Sequence, residues 1–281
     1  MLAIIGGTGI YHIDAFEVME QVEVKTPFGK PSAPIAKVKY GQHELLFLPR
    51  HGAHHELLPH ELNYRANIYA LKALGAKQLL GLSAVGSLRE EIHPGEFAIP
   101  SQYFDWVKGN RERTFFGEGV AAHVSTAEPT CANMTKWIAG KATELGLTLH
   151  MGKTYACVDG PRLGTKAESC FLRSAGCDLV GMTNVPEVFL AREAQLCYAT
   201  IGIATDYDCW MEDPSQHASV ADIIARYGES LQQVQKLLLA LLDSDLPPIN
   251  AEYRESLKMA LLTPVHAIPA AKRELMEVLQ A

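Results

Sequence analysis

Residues 2–9 of the chain read LAIIGGTG, an apolar run that passes directly into a glycine-rich turn. The apolar residues 2–5 predict a β-strand, and the glycines after them allow positive φ and expose backbone N–H groups, which suits an anion. A dinucleotide-binding turn would need a third glycine where the chain has His12, and no Gly-Lys-Ser/Thr of a P-loop follows. The turn is therefore either an anion-binding turn without a nucleotide signature or a purely structural one. The hydroxyl of Thr8 favours the first alternative.

Outward from this strand, apolar runs alternate with segments of helical periodicity, which indicates an α/β fold. Strands are predicted at residues 2–5, 44–48, 78–83, 96–99, 155–158, 179–182 and 197–205. Helices are predicted at residues 62–74, 131–145, 166–175, 187–195 and 219–242. The last helix begins with a variant of the capping box, formed by Ser219 and Asp222.

The chain of 281 residues contains no internal repeat and no linker rich in proline, glycine or serine. Its clearest break is the stretch SDLPPIN at residues 244–250. We therefore predict a single domain over residues 1–281, with a C-terminal helical appendage at about residues 250–281.

Composition narrows the class of protein. Hydrophobic residues make up 48% and charged residues 20% of the chain, as in ordinary globular proteins. The formal net charge of −7, without a Lys/Arg cluster, argues against a nucleic-acid partner. No apolar run approaches the roughly 18 residues of a membrane span, and no signal-peptide pattern opens the chain, so we expect a cytoplasmic protein with no membrane partner. The six cysteines have no CxxC spacing, and we expect them to be reduced.

Polar side chains follow three of the predicted strands. Besides Thr8, they include Arg50 and His51 after the strand at 44–48, and Ser83 at the end of the strand at 78–83. Ligands of open α/β sheets bind beyond the carboxyl ends of strands, and a guanidinium is a good bidentate ligand for phosphate. These residues together predict a phosphate pocket.

The histidines near Arg50 raise the alternative of a zinc site. The segment HHELLPH at residues 54–60 misses the HExxH pattern, since the second histidine comes one position late and Pro59 would break the helix that aligns the ligands. We predict no metal site.

An acidic pair follows the apolar strand at 197–205. Asp206 and Asp208 are two residues apart, so that in an extended chain both face the same side. Two close carboxylates disfavour double ionisation, which raises one pKa and provides a general acid near neutral pH. An ordinary acidic loop and a Mg²⁺ site are the alternatives at this point.

These motifs, taken in order, resemble those of one known family. The matching segments are IIGGTGI (4–10), TPFGKPS (26–32), RHG (50–52), NYRAN (63–67), GSLREE (86–91), GPR (160–162), MT (182–183), VPE (185–187) and ATDYDCW (204–210). The chain resembles the 5′-methylthioadenosine phosphorylases, trimeric members of the purine nucleoside phosphorylase superfamily. The resemblance implies one α/β domain whose mixed central sheet is partly closed into a barrel and flanked by helices.

The resemblance also implies a role for each matching residue. The residues that match the family's phosphate site are Thr8, Arg50, His51, Ser83, the amide of Ala84, and Thr183. Met182 matches the residue against the ribose, Asp206 the catalytic carboxylate at purine N7, and Asp208 the carboxylate near the 6-amino group, with Thr205 beside them. The sequence departs from the family at Leu163 and Gly164, where an aromatic residue and a serine are frequent.

The 5′ end of the substrate and the partners follow from the same resemblance. The matching helix lines the 5′ pocket with aliphatic side chains, here Val220, Ile223 and Ile224, and His123 matches a residue that reaches a neighbouring subunit's site. The implied reaction splits methylthioadenosine with inorganic phosphate as co-substrate, without a cofactor, in a homotrimer. Two alternatives stay open: a phosphorylase of 6-oxopurine nucleosides or methylthioinosine, which would be expected to carry Asn at position 206, and a non-catalytic Rossmann-type nucleotide-binding module.

Overall fold

The computed structural model describes residues 1–7, 13–213 and 219–281 of the chain. Within these residues, nine strands form one sheet: β1 (Leu2–Gly6), β2 (Glu17–Val22), β3 (Ile35–Tyr40), β4 (His43–Pro49), β5 (Gln78–Ser87), β6 (Phe97–Asp105), β7 (Leu149–Cys157), β8 (Leu179–Gly181) and β9 (Cys197–Asp206). The α-helices are α1 (Tyr64–Ala73), α2 (Ala132–Glu144), α3 (Lys166–Ser174), α4 (Asn184–Glu193), α5 (Val220–Leu242), α6 (Ala251–Arg254) and α7 (Arg273–Gln280).

The strand order is β2-β3-β4-β1-β5-β8-β7-β6-β9, and β9 pairs again with β5. The strands β5, β8, β7, β6 and β9 therefore close into a barrel, and β1 to β4 extend from it as an open wing. This mixed, partly closed sheet with flanking helices confirms the predicted fold class.

Parallel pairing brings the carboxyl ends of four strands to one edge of the sheet. β1 runs parallel to both β4 and β5, and β5 runs parallel to β9. The predicted site residues after β4 and β9 thus lie at this edge. The predicted end of the strand at residue 83 is wrong, because pairing with β9 carries β5 on to Ser87 and leaves Ser83 within the strand.

The core lies on both faces of the sheet, because successive residues of a strand point to opposite sides. Ile5, Leu79 and Tyr198 belong to the cluster that packs against α1, α4 and α7, whereas their neighbours pack against α2 and α5. Every residue of β9 is buried, as in a strand covered on both faces. Burial on both faces explains why the run before Asp206 is apolar throughout.

The sequence pattern misses β2 and β3, the antiparallel edge of the wing. The residues of β2 are almost all exposed, and β3 alternates apolar residues with Lys37 and Lys39. The edge strand is β2, where Glu17 and Glu20 supply charges of the kind that discourage pairing with other chains. Charged residues in both strands weaken the apolar signal by which strands are predicted. The capping box at α5 is confirmed, since Ser219 Oγ accepts from Asp222 N and Asp222 Oδ2 accepts from Ser219 N.

The expectation of six reduced cysteines is wrong for two of them, because Cys131 and Cys197 form a disulfide. Cys131 precedes α2, and its N–H donates to the carbonyl of Tyr198 at 2.7 Å, which places its Cα 5.3 Å from that of Cys197. This separation is ordinary for a disulfide. The other four cysteines are free. Among the residues described, no helix combines the length and apolarity that crossing a membrane requires.

Candidate active site

Arg50 ties together three elements at the carboxyl edge of the sheet. It is 1% exposed, and its Nε and Nη2 donate to the two carboxylate oxygens of Glu187 at 2.7 and 2.8 Å. Its Nη1 donates to the carbonyl of Leu82 at 2.8 Å, and its own N–H donates to the carbonyl of Gly6 at 2.8 Å. Burial by itself lowers the pKa of Arg50, but Glu187 outweighs this effect and raises it, so the guanidinium is charged.

The fork of Arg50 that would match a phosphate is therefore occupied by Glu187 in this structure. A guanidinium has five N–H donors, and bonds to Glu187, Leu82 and Ile5 take four of them. The remaining Nη1 hydrogen makes no hydrogen bond to the described residues. Arg50 thus supplies a fixed positive charge at the strand ends and a single donor, rather than two parallel hydrogen bonds.

His51 lies next to Arg50 but does not add a second positive charge. Burial lowers the pKa of His51 to about 4, so the ring is neutral at neutral pH. Its Nδ1 lies 2.8 Å from the carbonyl of Leu57, which can only accept, so Nδ1 carries the proton and Nε2 keeps its lone pair. The ring stacks on His55 with centroids 4.4 Å apart, which holds it in place.

Ser83 and Thr183 come together through a residue that the sequence analysis does not single out. The hydroxyl of Tyr155 interacts with the side chain of Ser83, and it accepts from the N–H of Thr183 at 3.5 Å. Ala84 is exposed although most of β5 around it is buried, so the strand borders open space there. The two hydroxyls and the backbone of Ala84 thus line one region beside Arg50.

Thr183 occupies the N-cap position of α4, yet its side chain makes no capping hydrogen bond. The backbone after Thr183 is not regularly helical, since Val185 has φ −113° and ψ 126°, so the group that Thr183 offers to an anion is its hydroxyl rather than a helix N-terminus. Met182, which comes just before it, is partly buried and lies against Gly160. Gly160 has a positive φ of 66°, and a Cβ there would overlap the Met182 side chain, so glycine is required at this position.

The acidic pair lies further along the same edge, at Gly86 of β5. Asp206 ends β9 opposite Gly86, and a Cβ on Gly86 would lie 2.9 Å from Asp206 Oδ1 and 3.2 Å from Asp208 Cβ. Both aspartates therefore lie beside Gly86, but strand alternation does not bring them there, because β9 ends at Asp206 and Asp208 lies in a turn with a positive φ of 53°. Three residues of strand separate Ser83 from Gly86, or roughly 10 Å, so the hydroxyl region and the carboxylates form two ends of one site.

The environment of Asp206 makes it an acid near neutral pH. Burial raises the pKa of Asp206 to about 6, and the charge of Asp208 acts in the same direction. The N–H of Asp208 donates to Asp206 Oδ1 at 3.0 Å, which orients the carboxyl group and opposes the rise. Thr205 is 2% exposed, and its hydroxyl donates to the carbonyl of Val85 at 3.3 Å.

The first two turns of α5 face the end of β1. Tyr227, one turn beyond Ile223 and Ile224, lies with its hydroxyl 3.3 Å from where a Cβ of Gly7 would be. Val220 and Ile224 are 59% and 65% exposed, and Ile223 is partly exposed. This apolar face therefore does not simply pack on the sheet.

Two of the predicted site residues are not brought to this edge by the described structure. Thr8 lies outside the described residues. His123 is exposed, and its N–H donates to the carbonyl of Ala260 at 2.9 Å, on the C-terminal segment of the chain. Of the two positions that depart from the family pattern, Leu163 is 44% exposed and Gly164 lies near the carboxylate of Asp208.

Sequence comparison places this edge of the sheet in a known context. The profile of the phosphorylase superfamily matches residues 1–243. An S-methyl-5′-thioadenosine phosphorylase of Geobacter sulfurreducens is 41% identical over 279 residues, which cover 99% of this chain and 97% of that protein.

Solved structures agree with the sequence comparison. The crystal structure of a methylthioadenosine phosphorylase sourced from an Antarctic soil metagenomic library matches with a TM-score of 0.91 and 37% identity over 99% of this chain and 98% of that one. The methylthioadenosine phosphorylase of Schistosoma mansoni in complex with adenine matches with a TM-score of 0.86 and 33% identity over 93% and 98% of the two chains. The chain therefore belongs to the phosphorylase superfamily, within the family of S-methyl-5′-thioadenosine phosphorylases.

Proposed function

We propose that this chain catalyses the phosphorolysis of S-methyl-5′-thioadenosine to adenine and 5-methylthioribose 1-phosphate. The observation that carries the proposal is the buried carboxyl of Asp206, whose pKa is raised to about 6, at one end of a site whose other end holds Arg50, Ser83 and Thr183. A general acid and an anion-binding region about 10 Å apart suit a nucleoside between a leaving base and an attacking phosphate.

At the base end, Asp206 donates a proton to N7 of the purine, so that adenine leaves as a neutral molecule. A pKa of about 6 is close to the operating pH, where a general acid works best. The N–H of Asp208 holds one oxygen of Asp206 and so orients the carboxyl group for the transfer of the proton. The carboxylate of Asp208 accepts from the 6-amino group.

At the phosphate end, Thr8, Ser83, the amide of Ala84 and Thr183 hold inorganic phosphate beneath C1′. The ribose gains positive charge as the base departs, and the phosphate stabilises that charge and then captures the carbon. Arg50 contributes its fixed charge and one donor, and the neutral ring of His51 offers Nε2 as an acceptor for a protonated phosphate oxygen. Met182 lies against the ribose, and Val220, Ile223 and Ile224 receive the methylthio group.

We also propose which cofactors the reaction requires and where in the cell it takes place. The acid and the phosphate suffice for the chemistry, so the reaction needs no metal and no organic cofactor. We further propose that the enzyme is a homotrimer in which His123 reaches a neighbouring site, and that it acts in the cytoplasm in purine and methionine salvage.

A phosphate-dependent assay with four nucleosides tests this function: methylthioadenosine, methylthioinosine, adenosine and inosine. We expect methylthioadenosine to have the highest kcat/KM, and we expect EDTA to leave the activity unchanged. Base release that continues in phosphate-free buffer would contradict the proposal, and so would a preference for the 6-oxopurine nucleosides. Failure to release a base from any of the four would revive a non-catalytic binding role.

A further inference from the structure

Arg111 is a buried cation whose hydrogen bonds go to backbone carbonyls rather than to a carboxylate. It is 5% exposed, and it follows β6 in the chain. Its Nη1 donates to the carbonyls of Met182 and Val185 at 2.7 and 2.8 Å, and its Nη2 donates to the carbonyl of Asp159 at 2.8 Å. Within the described ranges, Arg111 forms no ion pair within 4.0 Å.

The two carbonyls on Nη1 enclose Thr183, the hydroxyl at the start of α4. The backbone is irregular here, with Thr183 at φ −127° and ψ −20° and Val185 at φ −113° and ψ 126°. In a regular helix the carbonyl of Met182 would accept from the N–H of residue 186, which is Pro186 and has none. Arg111 supplies the donor that the proline lacks, and so it holds both ends of this short segment.

The second branch of the guanidinium fixes the surface on which Met182 rests. Nη2 holds the carbonyl of Asp159, the residue before Gly160, and the Met182 side chain lies directly against Gly160. Arg111 therefore positions Met182 twice, once through its own carbonyl and once through the turn that its side chain contacts.

Holding the carbonyls of two separate segments requires an arginine rather than a lysine. The planar fork reaches segments in two directions from rigid positions, whereas an ammonium group is a single point on a flexible stem. The guanidinium also lies over the ring of Tyr64, 5.4 Å from its centroid, which fixes its plane. Its Nε is buried without a hydrogen-bond partner among the described residues.

We propose that Arg111 is a positioning residue of the active site, which sets the place of Thr183 at the phosphate and of Met182 at the ribose by clamping the carbonyls of Met182, Val185 and Asp159. The inference rests on the proposed function for the roles of Thr183 and Met182, but the clamp itself is a property of the fold.

The kinetic test compares Arg111→Lys with Arg192→Lys. Arg192 is a matched control, since it is 6% exposed, donates to the carbonyls of Ser125 and Glu252, and lies 4.2 Å over the ring of Tyr253. We expect Arg111→Lys to raise the KM for phosphate and to lower kcat/KM about 100-fold, the cost of a misplacement of about 1 Å. The control should keep the KM for phosphate and the KM for methylthioadenosine. A fall in kcat in proportion to the folded fraction, with both KM values unchanged, would mean that Arg111 is merely structural.

A second measurement does not depend on activity. Hydrogen exchange of the amides of Thr183, Asn184 and Val185 should become faster in Arg111→Lys than in the unsubstituted protein, and it should stay unchanged in Arg192→Lys. Arg111→Gln, which keeps two donors but no charge, provides a second variant if the lysine variant does not fold. Unchanged hydrogen exchange in a folded variant would show that Arg111 does not hold this segment. If instead the unsubstituted enzyme cleaves no nucleoside, the proposed function is contradicted, and the exchange measurement alone tests whether Arg111 clamps the three carbonyls.

Discussion

Asp206 is the residue that distinguishes a 6-aminopurine from a 6-oxopurine in the proposed reaction. An amide cannot protonate N7, but it can donate a hydrogen bond to an acceptor on a 6-oxopurine, so Asp206→Asn should shift the preference from methylthioadenosine toward methylthioinosine. The measurement is the ratio of kcat/KM for the two nucleosides, with and without the substitution. A ratio that does not change would show that Asp206 does not read the base.

The raised pKa of Asp206 also predicts how the stability of the fold depends on pH. Its ordinary pKa of 3.8 applies to the unfolded chain, and burial raises the folded value to about 6. Between these values an unfolded Asp206 binds fewer protons than a folded one, so the contribution of Asp206 to the free energy of unfolding falls by about 1–3 kcal/mol as pH rises from about 4 to 6. His51, whose pKa is lowered to about 4, contributes in the opposite direction over the same range, so the effect of Asp206 is measured as a difference between variants.

Urea unfolding at pH 4, 5, 6 and 7 measures this dependence. The free energy of unfolding of Asp206→Asn minus that of the unsubstituted chain should rise between pH 4 and pH 6, and Asp206→Asn should be the more stable of the two at pH 7. Asp245→Asn, a substitution of an exposed aspartate, is the control, and its difference from the unsubstituted chain should not change with pH in this range. A difference for Asp206→Asn that does not change with pH would show that Asp206 does not have the raised pKa.

Local sequence patterns predict which residues lie at the sheet edge, but they do not predict which other residues these side chains contact. The acidic pair at 206 and 208 is visible in the sequence because it follows an apolar strand, but the turn with positive φ at Asp208 that sets the two side chains beside each other is not the extended chain that alternation assumes. Arg50 is predicted as a bidentate phosphate ligand, whereas its fork holds Glu187, a residue 137 positions away. The neutral state of His51 depends on burial, and its tautomer depends on the carbonyl of Leu57. Tertiary contacts of this kind leave no periodic signal.

At the scale of elements, we expect the opening turns of α5 to set the preference at the 5′ end of the substrate. Val220, Ile223 and Ile224 share one face, where a methylthio group would gain an apolar contact that a 5′-hydroxyl cannot use. Loss of that contact costs roughly 10–200-fold in kcat/KM, so we expect adenosine to be a distinctly poorer substrate than methylthioadenosine. Ile223→His should narrow this gap by offering the hydroxyl a partner.

Ala225→His is the matched control for this helix. It places the same side chain two residues further on, where the side chain faces away from the apolar face, so the gap between the two nucleosides should stay as it is. Equal kcat/KM for adenosine and methylthioadenosine in the unsubstituted enzyme would contradict the assignment of this pocket.

Elements with a strong apolar pattern are predictable, and those without one are not. The run at 197–205 becomes β9 almost residue for residue, because a strand buried on both faces is apolar throughout. The exposed edge strand β2 lacks that signal. Ser83 and the glycine at position 86 suggest the end of a strand, but pairing with β9 overrides this local preference and extends β5 to Ser87.

At the scale of the whole molecule, the C-terminal segment presents the surface that a second copy of the chain would cover. Met259, Leu262 and Val265 are 89%, 61% and 77% exposed, and this segment pairs with the strand-like stretch next to His123 through the bridge of Ala122 with Leu261. Exposed apolar side chains grouped in this way are typical of an interface. Because the chain resembles trimeric phosphorylases, we expect light scattering to give three copies of the 30.8-kDa chain.

A shared site has a sharper consequence than the size of the particle. In a closed ring each interface joins two different surfaces, so a site that uses Asp206 of one subunit would use His123 of its neighbour. Asp206→Asn and His123→Ala chains should each have low activity alone. In a random mixture, a site is intact when a His123→Ala chain supplies Asp206 and an Asp206→Asn neighbour supplies His123. Each condition holds half of the time, so co-assembly would restore about one intact site in four. Co-expression of the two variants, followed by a phosphorolysis assay per chain, measures this recovery. Activity that stays at the mean of the two variants, or a fully active monomer, would show that each subunit completes its own site.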